Sequence, residues 1–114
     1  MWRVDLDAED RKLVTLARAT RARTGAREGA ALRDLDGRTY AAATVDLPHL
    51  QVSAVGVTIA MAVASGAKGA EAVVLLGDDQ PGERDLAALR DFAGAGVPVH
   101  HGSPAGQLAG TVTS

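Results

Sequence analysis

Residues 29–42 read GAALRDLDGRTYAA and carry the clearest secondary-structure signal of the chain. Two apolar segments, Gly29-Ala30-Ala31-Leu32 and Thr39-Tyr40-Ala41-Ala42, lie on either side of Asp36-Gly37. An Asp-Gly pair between two such segments is typical of a tight turn between neighbouring strands. The stretch therefore predicts an antiparallel β-hairpin.

A helix is predicted before the hairpin, over about residues 8–23. Acidic residues follow Asp7, and they favour a helix N-terminus because the helix dipole is positive there. Thr24-Gly25 ends the pattern. The inward face of this helix carries Leu13, Leu16, Ala17 and Thr20.

A second helix and a buried strand are predicted after the hairpin. The segment from His49 to Gly66 is apolar on nearly every side, which suits a helix packed between a sheet and a neighbouring helix or subunit. Ala72-Val73-Val74-Leu75-Leu76 is typical of a strand covered on both faces, so we expect it at the centre of the sheet. Polar residues interrupt the apolar stretch 52–67, which is shorter than the roughly 20 residues of a membrane span, so no membrane contact is predicted.

The last third of the chain predicts one helix and two strands. Pro81 suits the first turn of a helix that runs to about Ala93. Its inward face carries Leu86, Leu89 and Ala93. Val97-Pro98-Val99-His100 is then a parallel strand reached through this helical crossover, and a last strand runs from Gln107 to Val112. The predicted order is αββαβαββ.

Composition and charge describe an ordinary globular domain. The 114 residues carry a net charge of -2, and we expect one domain over residues 1–114. Residues 1–40 hold nine basic and seven acidic side chains, whereas residues 41–114 hold three basic and seven acidic ones. No aromatic residue lies within the basic run to stack on a base, so we interpret the run as a solvated face and expect no nucleic-acid partner. The run comprises Arg11, Lys12, Arg18, Arg21, Arg23 and Arg27.

The absence of cysteine excludes disulfides and thiolate metal ligands. Met1-Trp2-Arg3-Val4-Asp5 contains no apolar signal core, so we expect a cytoplasmic location. A domain of this size folds alone but is marginally stable, and association with copies of itself would add stability.

The order and spacing of these elements resemble the free-nucleoside cytidine deaminase family. The family's Gly-Ala-Ala-Leu strand and Asp-Gly turn match Gly29-Ala30-Ala31-Leu32 and Asp36-Gly37, and Tyr40 falls where the family has an aromatic residue. The resemblance covers about residues 8–112. It implies an α/β fold with three layers, α/β/α, built around a mixed five-stranded sheet.

The resemblance also locates the positions where the family holds zinc and moves protons. The family's Cys-Ala-Glu falls on Ser53-Ala54-Val55, so a hydroxyl replaces a ligand and a hydrocarbon replaces the proton-shuttling glutamate. The family's Pro-Cys-X-X-Cys falls on Pro81-Gly82-Glu83-Arg84-Asp85, and its Arg-Glu-Phe falls on Arg90-Asp91-Phe92. Both cysteines are gone. The resemblance implies zinc for family members, but for this chain we expect no zinc and no catalytic residue.

A vestigial pocket is the remaining candidate for ligand binding. The family's ribose-contacting Asn-Val-Glu-Asn falls on Thr44-Val45-Asp46-Leu47, where only Val45 is identical. Two helix N-termini converge at the family's site, and their free N–H groups suit an anion or a small polar ligand. The carboxylates of Glu83 and Asp85 would compete with such a ligand for the same N–H groups. The candidate ligand-binding residues are Thr44, Asp46, Ser53 and Gly82.

The sequence gives little support to two alternative metal sites. His49, Asp46 and Asp85 could approach one another as ligands, but no ligand spacing on one element supports this. His100 and His101 are adjacent in a predicted strand, so their side chains lie on opposite faces and cannot chelate one ion together. We predict no metal site.

Two candidate catalytic groups have simpler explanations as helix caps. Asp78-Asp79 follows the central strand, where carboxylates can bind magnesium or act as acid and base, but the dipole of the next helix explains them without chemistry. Ser53 could be a nucleophile with His49 as its base, yet an N-cap role needs no such partner. We favour the capping interpretation for both.

We interpret the chain as a catalytically inactive cytidine deaminase-like domain that acts by self-association, as a dimer or tetramer, or by binding a protein partner. Small residues of the second helix would let backbones pack closely. They are Ala54, Gly56, Ala60, Ala64 and Gly66. The alternative is a nucleoside or nucleotide sensor that keeps the pocket, supported by Thr44 and Asp46. A third interpretation, an active deaminase, requires a zinc site that we do not find in the sequence.

Overall fold

Three helices and seven strands make up residues 6–114, the part of the chain that the computed structural model describes. In chain order they are α1 (Ala8–Thr24), β1 (Gly29–Asp34), β2 (Thr39–Ala43), β3 (Val45–Leu47), β4 (Leu50–Val52), α2 (Ala54–Ala64), β5 (Ala70–Leu76), α3 (Glu83–Ala93), β6 (Pro98–Gly102) and β7 (Leu108–Thr113). The segment 1–5, for which we expect no signal core, lies outside the described residues. The single domain expected over residues 1–114 stays a prediction, because the structure describes residues 6–114.

Five of the strands form one mixed sheet in the order β2-β1-β5-β6-β7. Strand β1 is antiparallel to both β2 and β5, β5 and β6 are parallel, and β7 is antiparallel to β6. Helix α3 supplies the crossover between the two parallel strands. The predicted hairpin, the mixed five-stranded sheet and the central position of β5 are confirmed.

Helices cover both faces of this sheet and give the predicted three layers. Alternate residues of β5 face opposite sides, as strand geometry requires. On one side Ala72, Val74 and Leu76 pack with Leu13 and Ala17 of α1. On the other side lies the larger core, which joins β5 to α2 and α3 and includes Val73, Leu75, Val55, Ile59 and Leu89.

One glycine sets the distance between α1 and the sheet. A Cβ atom on Gly29 would lie 2.3 Å from the carbonyl oxygen of Ala17. Only a residue without a side chain lets the helix approach β1 this closely. Close packing of α1 on β1 therefore requires glycine at position 29.

Asp34 stabilises the β1–β2 hairpin from the end of β1. Its carboxylate accepts hydrogen bonds from the backbone N–H groups of Asp36 and Arg38, at 2.9 and 3.0 Å, and from the Tyr40 hydroxyl at 2.8 Å. Burial acts to raise the pKa of Asp34, but the hydrogen bonds, first that of Tyr40, outweigh it and lower this pKa. The bond to Asp34 also raises the pKa of Tyr40.

The second helix begins later than predicted. Residues 45–52 form β3 and β4, which pair antiparallel with Val45 opposite Val52 and Leu47 opposite Leu50. The prediction of helix from His49 onward is wrong, because the backbone groups of these residues are used in strand pairing and the helix cap stands at Ser53. The observed order is therefore αββββαβαββ.

The third helix also begins later than predicted. Its N-cap is Gly82, whose ψ of 164° is extended, so Pro81 lies before the cap instead of in the first turn. Its inward face is as predicted, with Leu89 buried and Leu86 and Ala93 packed against the core. The last strand starts at Leu108, one residue after its predicted start.

Candidate functional site

A cavity of about 560 Å³ opens where the start of α2, the start of α3 and the β3–β4 hairpin meet. Three of the four predicted ligand-binding residues line it, namely Thr44, Asp46 and Ser53. The fourth, Gly82, is exposed at the N-cap of α3 and is not among the lining residues, while Asp85, three residues further on, is. The structure thus brings together three predicted residues from two separate segments of the chain.

Ser53 links the two helices at this cavity. Its Oγ accepts a 3.0 Å hydrogen bond from the backbone N–H of Gly56, which makes Ser53 the N-cap of α2 as expected. The same hydroxyl donates a 2.6 Å hydrogen bond to Asp85 Oδ1 in the first turn of α3. The proposed base His49 is exposed and does not line the cavity, so Ser53 is partnered by a carboxylate and not by an imidazole.

Glu28 is a cavity residue that the sequence interpretation missed. Its carboxylate Oε1 accepts hydrogen bonds from the backbone N–H of Ala54, at 3.4 Å, and from the Thr44 hydroxyl, at 3.3 Å. The carboxylate therefore occupies the positive end of α2, where a negative charge is favourable. The one available signal was an acidic residue directly before β1, and no motif distinguished it from a surface residue.

The lining of the cavity carries charges of both signs. Glu28, Asp46 and Asp85 contribute three carboxylates, and Arg27 and Arg84 contribute two guanidinium groups. Between residues 6 and 114, no ion pair within 4.0 Å joins these five side chains. The two helix N-termini do converge as the resemblance implies, but carboxylates of Glu28 and Asp85 already lie at them.

The expected capping role of Asp78 and Asp79 is wrong. The N-cap of α3 is Gly82, and no side chain makes a capping hydrogen bond there. Both aspartates are exposed, lie in the loop between β5 and α3, and form no hydrogen bond with the first N–H groups of the helix. They line a second cavity instead.

The two adjacent histidines lie on opposite faces of the sheet, as predicted. His100 faces α1, where its Nε2 lies 2.9 Å from Asp10 Oδ2 and its Nδ1 lies 2.8 Å from the Thr111 hydroxyl oxygen. His101 lines the second cavity. Across residues 6–114 no group of three or more His, Asp or Glu side chains could hold a metal ion.

Asp10 organises a buried polar network that the sequence interpretation also missed. Its Oδ1 lies 2.9 Å from Arg33 Nη2, while its Oδ2 faces His100, and Arg33 Nε lies 3.6 Å from Glu71 Oε1. Burial acts to lower the pKa of Arg33, but the hydrogen bond and the charge of Asp10 outweigh it and raise this pKa. The network ties α1 to β1, β5 and β6 and lies away from the N-termini of α2 and α3, so we assign it a structural role.

Fold and cavity together define an α/β domain with a polar cavity at two converging helix N-termini. The chain belongs to the cytidine deaminase-like family, whose model matches residues 6–106. Among the curated proteins none matches. Within residues 6–114 no helix is long and apolar enough to cross a membrane.

Solved structures of cytidine deaminases share this fold. The enzyme from Mycobacterium leprae is 22% identical with a TM-score of 0.74, over 94% of each chain. The enzyme from Burkholderia pseudomallei is 18% identical with a TM-score of 0.79, over 90% of this chain and 91% of that one. The enzyme from Mycobacterium tuberculosis is 20% identical with a TM-score of 0.72, over 83% and 86%. At these identities the likeness establishes the fold.

The residues present do not fit the zinc ion that the family resemblance implies. Zinc requires nitrogen, sulfur or carboxylate ligands about 2.0–2.3 Å from the ion. Of the three corresponding positions, Ser53 supplies a hydroxyl, Gly82 supplies nothing, and the Asp85 carboxylate is bonded to Ser53 directly, which leaves no gap for an ion between them. A Cβ atom on Gly82 would meet no heavy atom within 4 Å, so this position is open space.

Proposed function

We propose that this protein is a cytidine deaminase-like domain that does not deaminate and that acts by associating with a second copy of itself. The hydrogen bond between Ser53 and Asp85 is the observation that supports the loss of chemistry, because it joins two positions that would have to hold a metal between them. Exposed apolar residues on α2 support association.

The position of the proton-shuttling glutamate gives further support for an inactive site. Val55 occupies that position, and its side chain is buried in the core. The two nearest carboxylates have other partners, since Glu28 accepts from Ala54 and Thr44 while Asp85 accepts from Ser53. A carboxylate oxygen that already accepts these hydrogen bonds is less free to take a proton from water.

The surface of α2 offers an apolar contact area, which we call the α2 surface and define by Ala60, Met61, Val63 and Ala64. All four residues are exposed, and Val63 is 54% exposed. Leu47 and Leu50, in the hairpin that precedes α2, are also more than half exposed. Contiguous apolar residues of this kind mark interaction sites on globular proteins.

A second copy of the chain is the occupant that suits this surface. In a two-fold contact both copies use the same surface, so a helix that carries one sign of charge would repel itself. Helix α2 contains no charged residue over its whole length. The exposed alanines Ala60 and Ala64 would permit a close approach of two backbones, whereas Ala54, which the sequence also suggested for this contact, is buried in the core of its own chain.

Sedimentation equilibrium of the purified chain over a range of concentrations tests this proposal. We expect reversible dimers or tetramers at micromolar concentration, and monomers for the double variant Met61→Glu and Val63→Glu. The double variant Ala19→Glu and Ala22→Glu, which places the same two charges on the exposed side of α1, is the matched control and should associate like the wild type. A wild-type chain that stays monomeric would refute self-association and leave a different protein as the partner.

Nucleoside or nucleotide binding is a second candidate, supported by the cavity. A volume of about 560 Å³ lies within the range of small-molecule sites, and Arg27 and Arg84 provide positive charge for a phosphate group. Thermal shift with cytidine and with cytidine monophosphate tests it, using Arg84→Gln and Asp46→Asn as cavity variants. A shift with the nucleotide that Arg84→Gln removes would support binding, and no shift with either compound would exclude it.

A further inference from the structure

A hydroxyl, an imidazole and a carboxylate form one hydrogen-bonded chain on the α1 side of the sheet. The Thr111 hydroxyl oxygen lies 2.8 Å from His100 Nδ1, and His100 Nε2 lies 2.9 Å from Asp10 Oδ2. A hydroxyl within hydrogen-bond reach of a base, with the base oriented by a third group, is the arrangement that activates serine and threonine nucleophiles. We call these three residues the Thr111 triad. None of them lines the cavity at the N-termini of α2 and α3.

Strand pairing brings the first two members of the triad together. Thr111 of β7 lies opposite His100 of β6 in the antiparallel register. Just beyond these strand ends the Ser114 N–H donates to the Val97 carbonyl at 3.0 Å, which makes 97 and 114 a hydrogen-bonded pair. The two kinds of pair alternate along an antiparallel ladder, so the His100–Thr111 pair, three positions away, is a non-hydrogen-bonded one. Side chains approach most closely in pairs of this kind.

The partners of the imidazole define which ring nitrogen carries the proton. An ionised carboxylate only accepts hydrogen bonds, so His100 Nε2 is the donor to Asp10. In the neutral ring Nδ1 then carries no proton, and it accepts the hydrogen of the Thr111 hydroxyl. The other carboxylate oxygen, Asp10 Oδ1, lies 2.9 Å from Arg33 Nη2 and leaves Oδ2 to the histidine. The proton of the hydroxyl therefore points at a base.

Burial and exposure within the triad suit a reaction at the hydroxyl. His100 is 7% exposed and Asp10 is 9% exposed, so the base and its carboxylate are shielded from water. Thr111 is exposed and accessible to a substrate. Its backbone N–H points away from β6, because the pair is non-hydrogen-bonded, and within residues 6–114 no strand lies beyond β7. That N–H is a donor for the oxyanion that forms when a carbonyl carbon is attacked.

We propose that the Thr111 triad hydrolyses uncharged esters, with Thr111 as the nucleophile and His100 as its base. Strand β7 contains no charged residue, which suits an uncharged substrate. Asp10 is a positioning residue, because it holds the imidazole and stabilises its positive charge once the proton has been transferred. The activity is independent of the proposed self-association, since no residue of the α2 surface belongs to the triad.

The reaction consists of two steps. In the first, Thr111 Oγ1 attacks the ester carbonyl carbon while its proton passes to His100 Nδ1. The bond from this carbon to the alkoxy oxygen then breaks, and the departing alcohol takes the proton from His100. In the second step water attacks the acyl-threonine, and His100 carries a proton from the water to Thr111 Oγ1 as the carboxylic acid leaves. One ester and one water give one alcohol and one carboxylic acid, with no change of oxidation state.

Acetylation by p-nitrophenyl acetate, followed by peptide mass mapping of the full chain, tests the proposal. We expect an acetyl group on Thr111 and none on Thr113, the matched exposed hydroxyl on the same face of the same strand. The exposed amine of Lys68 reacts without any triad and is the internal reference.

Variants of the two threonines measure the same chemistry as a rate. Thr111→Val removes the nucleophile and should slow acetylation at this position and release of p-nitrophenol above background by about 100-fold or more. Thr111→Ser keeps a hydroxyl and should retain the activity. Thr113→Val is the control and should react like the wild type.

The positioning role of Asp10 requires a readout that stability alone does not change. Nitrogen-15 NMR of the His100 ring should find the proton on Nε2 in the wild type. Asp10→Asn should reduce this preference and slow acetylation of Thr111 by about tenfold or more, with Lys68 labelled as before. Equal labelling of Thr111 and Thr113, undiminished release of p-nitrophenol by Thr111→Val, or a neutral ring with its proton on Nδ1 would overturn the proposal. The Thr111 variants change an exposed side chain, so they decide the matter even where Asp10→Asn does not fold.

Discussion

The hydroxyl of Ser53 stands between two helices, accepting a hydrogen bond from Gly56 of α2 and donating one to Asp85 of α3. One small side chain thus begins one helix and attaches it to the next. At the corresponding positions the family resemblance places two ligands of a metal ion. Here a hydrogen bond from a hydroxyl to a carboxylate joins the two positions directly.

We predict that Ser53→Ala lowers the free energy of unfolding by about 1–2 kcal/mol, because α2 loses its cap and Asp85 loses its donor. Urea denaturation of Ser53→Ala, Asp85→Ala and the double variant measures the coupling, which we expect to be about 1 kcal/mol. Thr15→Ala, on the exposed side of α1, is the control and should change stability by less than about 0.5 kcal/mol. Additive effects of the two substitutions would show that the hydrogen bond contributes nothing.

We predict that metal removal leaves the protein unchanged. Since Ser53, Gly82 and Asp85 do not fit zinc, dialysis against a chelator should not alter the melting temperature, and metal analysis of the purified chain should find zinc well below one ion per chain. Cytidine incubated with the protein should yield no uridine. Stoichiometric zinc together with uridine formation would contradict the proposed loss of deamination.

Asp10→Asn should be among the more destabilising polar substitutions. The variant keeps the size of the side chain but leaves the buried Arg33 guanidinium without its nearest negative charge, at a cost of about 2 kcal/mol or more. Thermal and urea unfolding measure the loss. Glu9→Gln changes the neighbouring exposed carboxylate and serves as the control, with an effect within about 0.5 kcal/mol. Equal effects of the two variants would refute the structural role of the network.

The Asp34–Tyr40 hydrogen bond should make stability depend on pH at both extremes. The pKa of Asp34 is lowered in the fold, so its contribution is complete above the ordinary value of 3.8 and is lost as pH falls below that value. The pKa of Tyr40 is raised, so its contribution is complete below the ordinary value of 10.0 and is lost as pH rises beyond it.

The comparison with Tyr40→Phe isolates this effect. The difference in unfolding free energy between wild type and variant should be constant across neutral pH and should shrink in acid and in alkali. Urea unfolding at several pH values measures it. A difference that does not change with pH would show that the hydroxyl contributes only through packing.

Elements whose pattern is local were predictable from the sequence. The Asp-Gly turn, the β-branched run of β5 and the acidic start of α1 each carry their signal within a few residues. The start of α2 was not predictable in the same way, because the apolar residues Leu50 and Val52 lead directly into the apolar helix. Pairing between β3 and β4 decides their conformation, and three-residue strands leave almost no periodicity to detect.

The site was predictable only where the family resemblance supplied a register. Thr44, Asp46 and Ser53 came from aligned motifs, and they line one cavity. Glu28 belongs to no motif, and its role depends on the distant residues Thr44 and Ala54 that lie beside it. Asp10 and His100 are separated by 90 positions, and no local pattern indicates that their side chains meet.

The open space at Gly82 shows what separates this domain from a family member that holds zinc, as the resemblance implies. The backbone there is extended, and a Cβ atom at Gly82 would meet no heavy atom within 4 Å. The glycine is therefore required neither by backbone conformation nor by packing. A longer residue could be introduced at this helix start on the existing backbone, which makes Gly82 the natural first position for engineering a ligand into the domain.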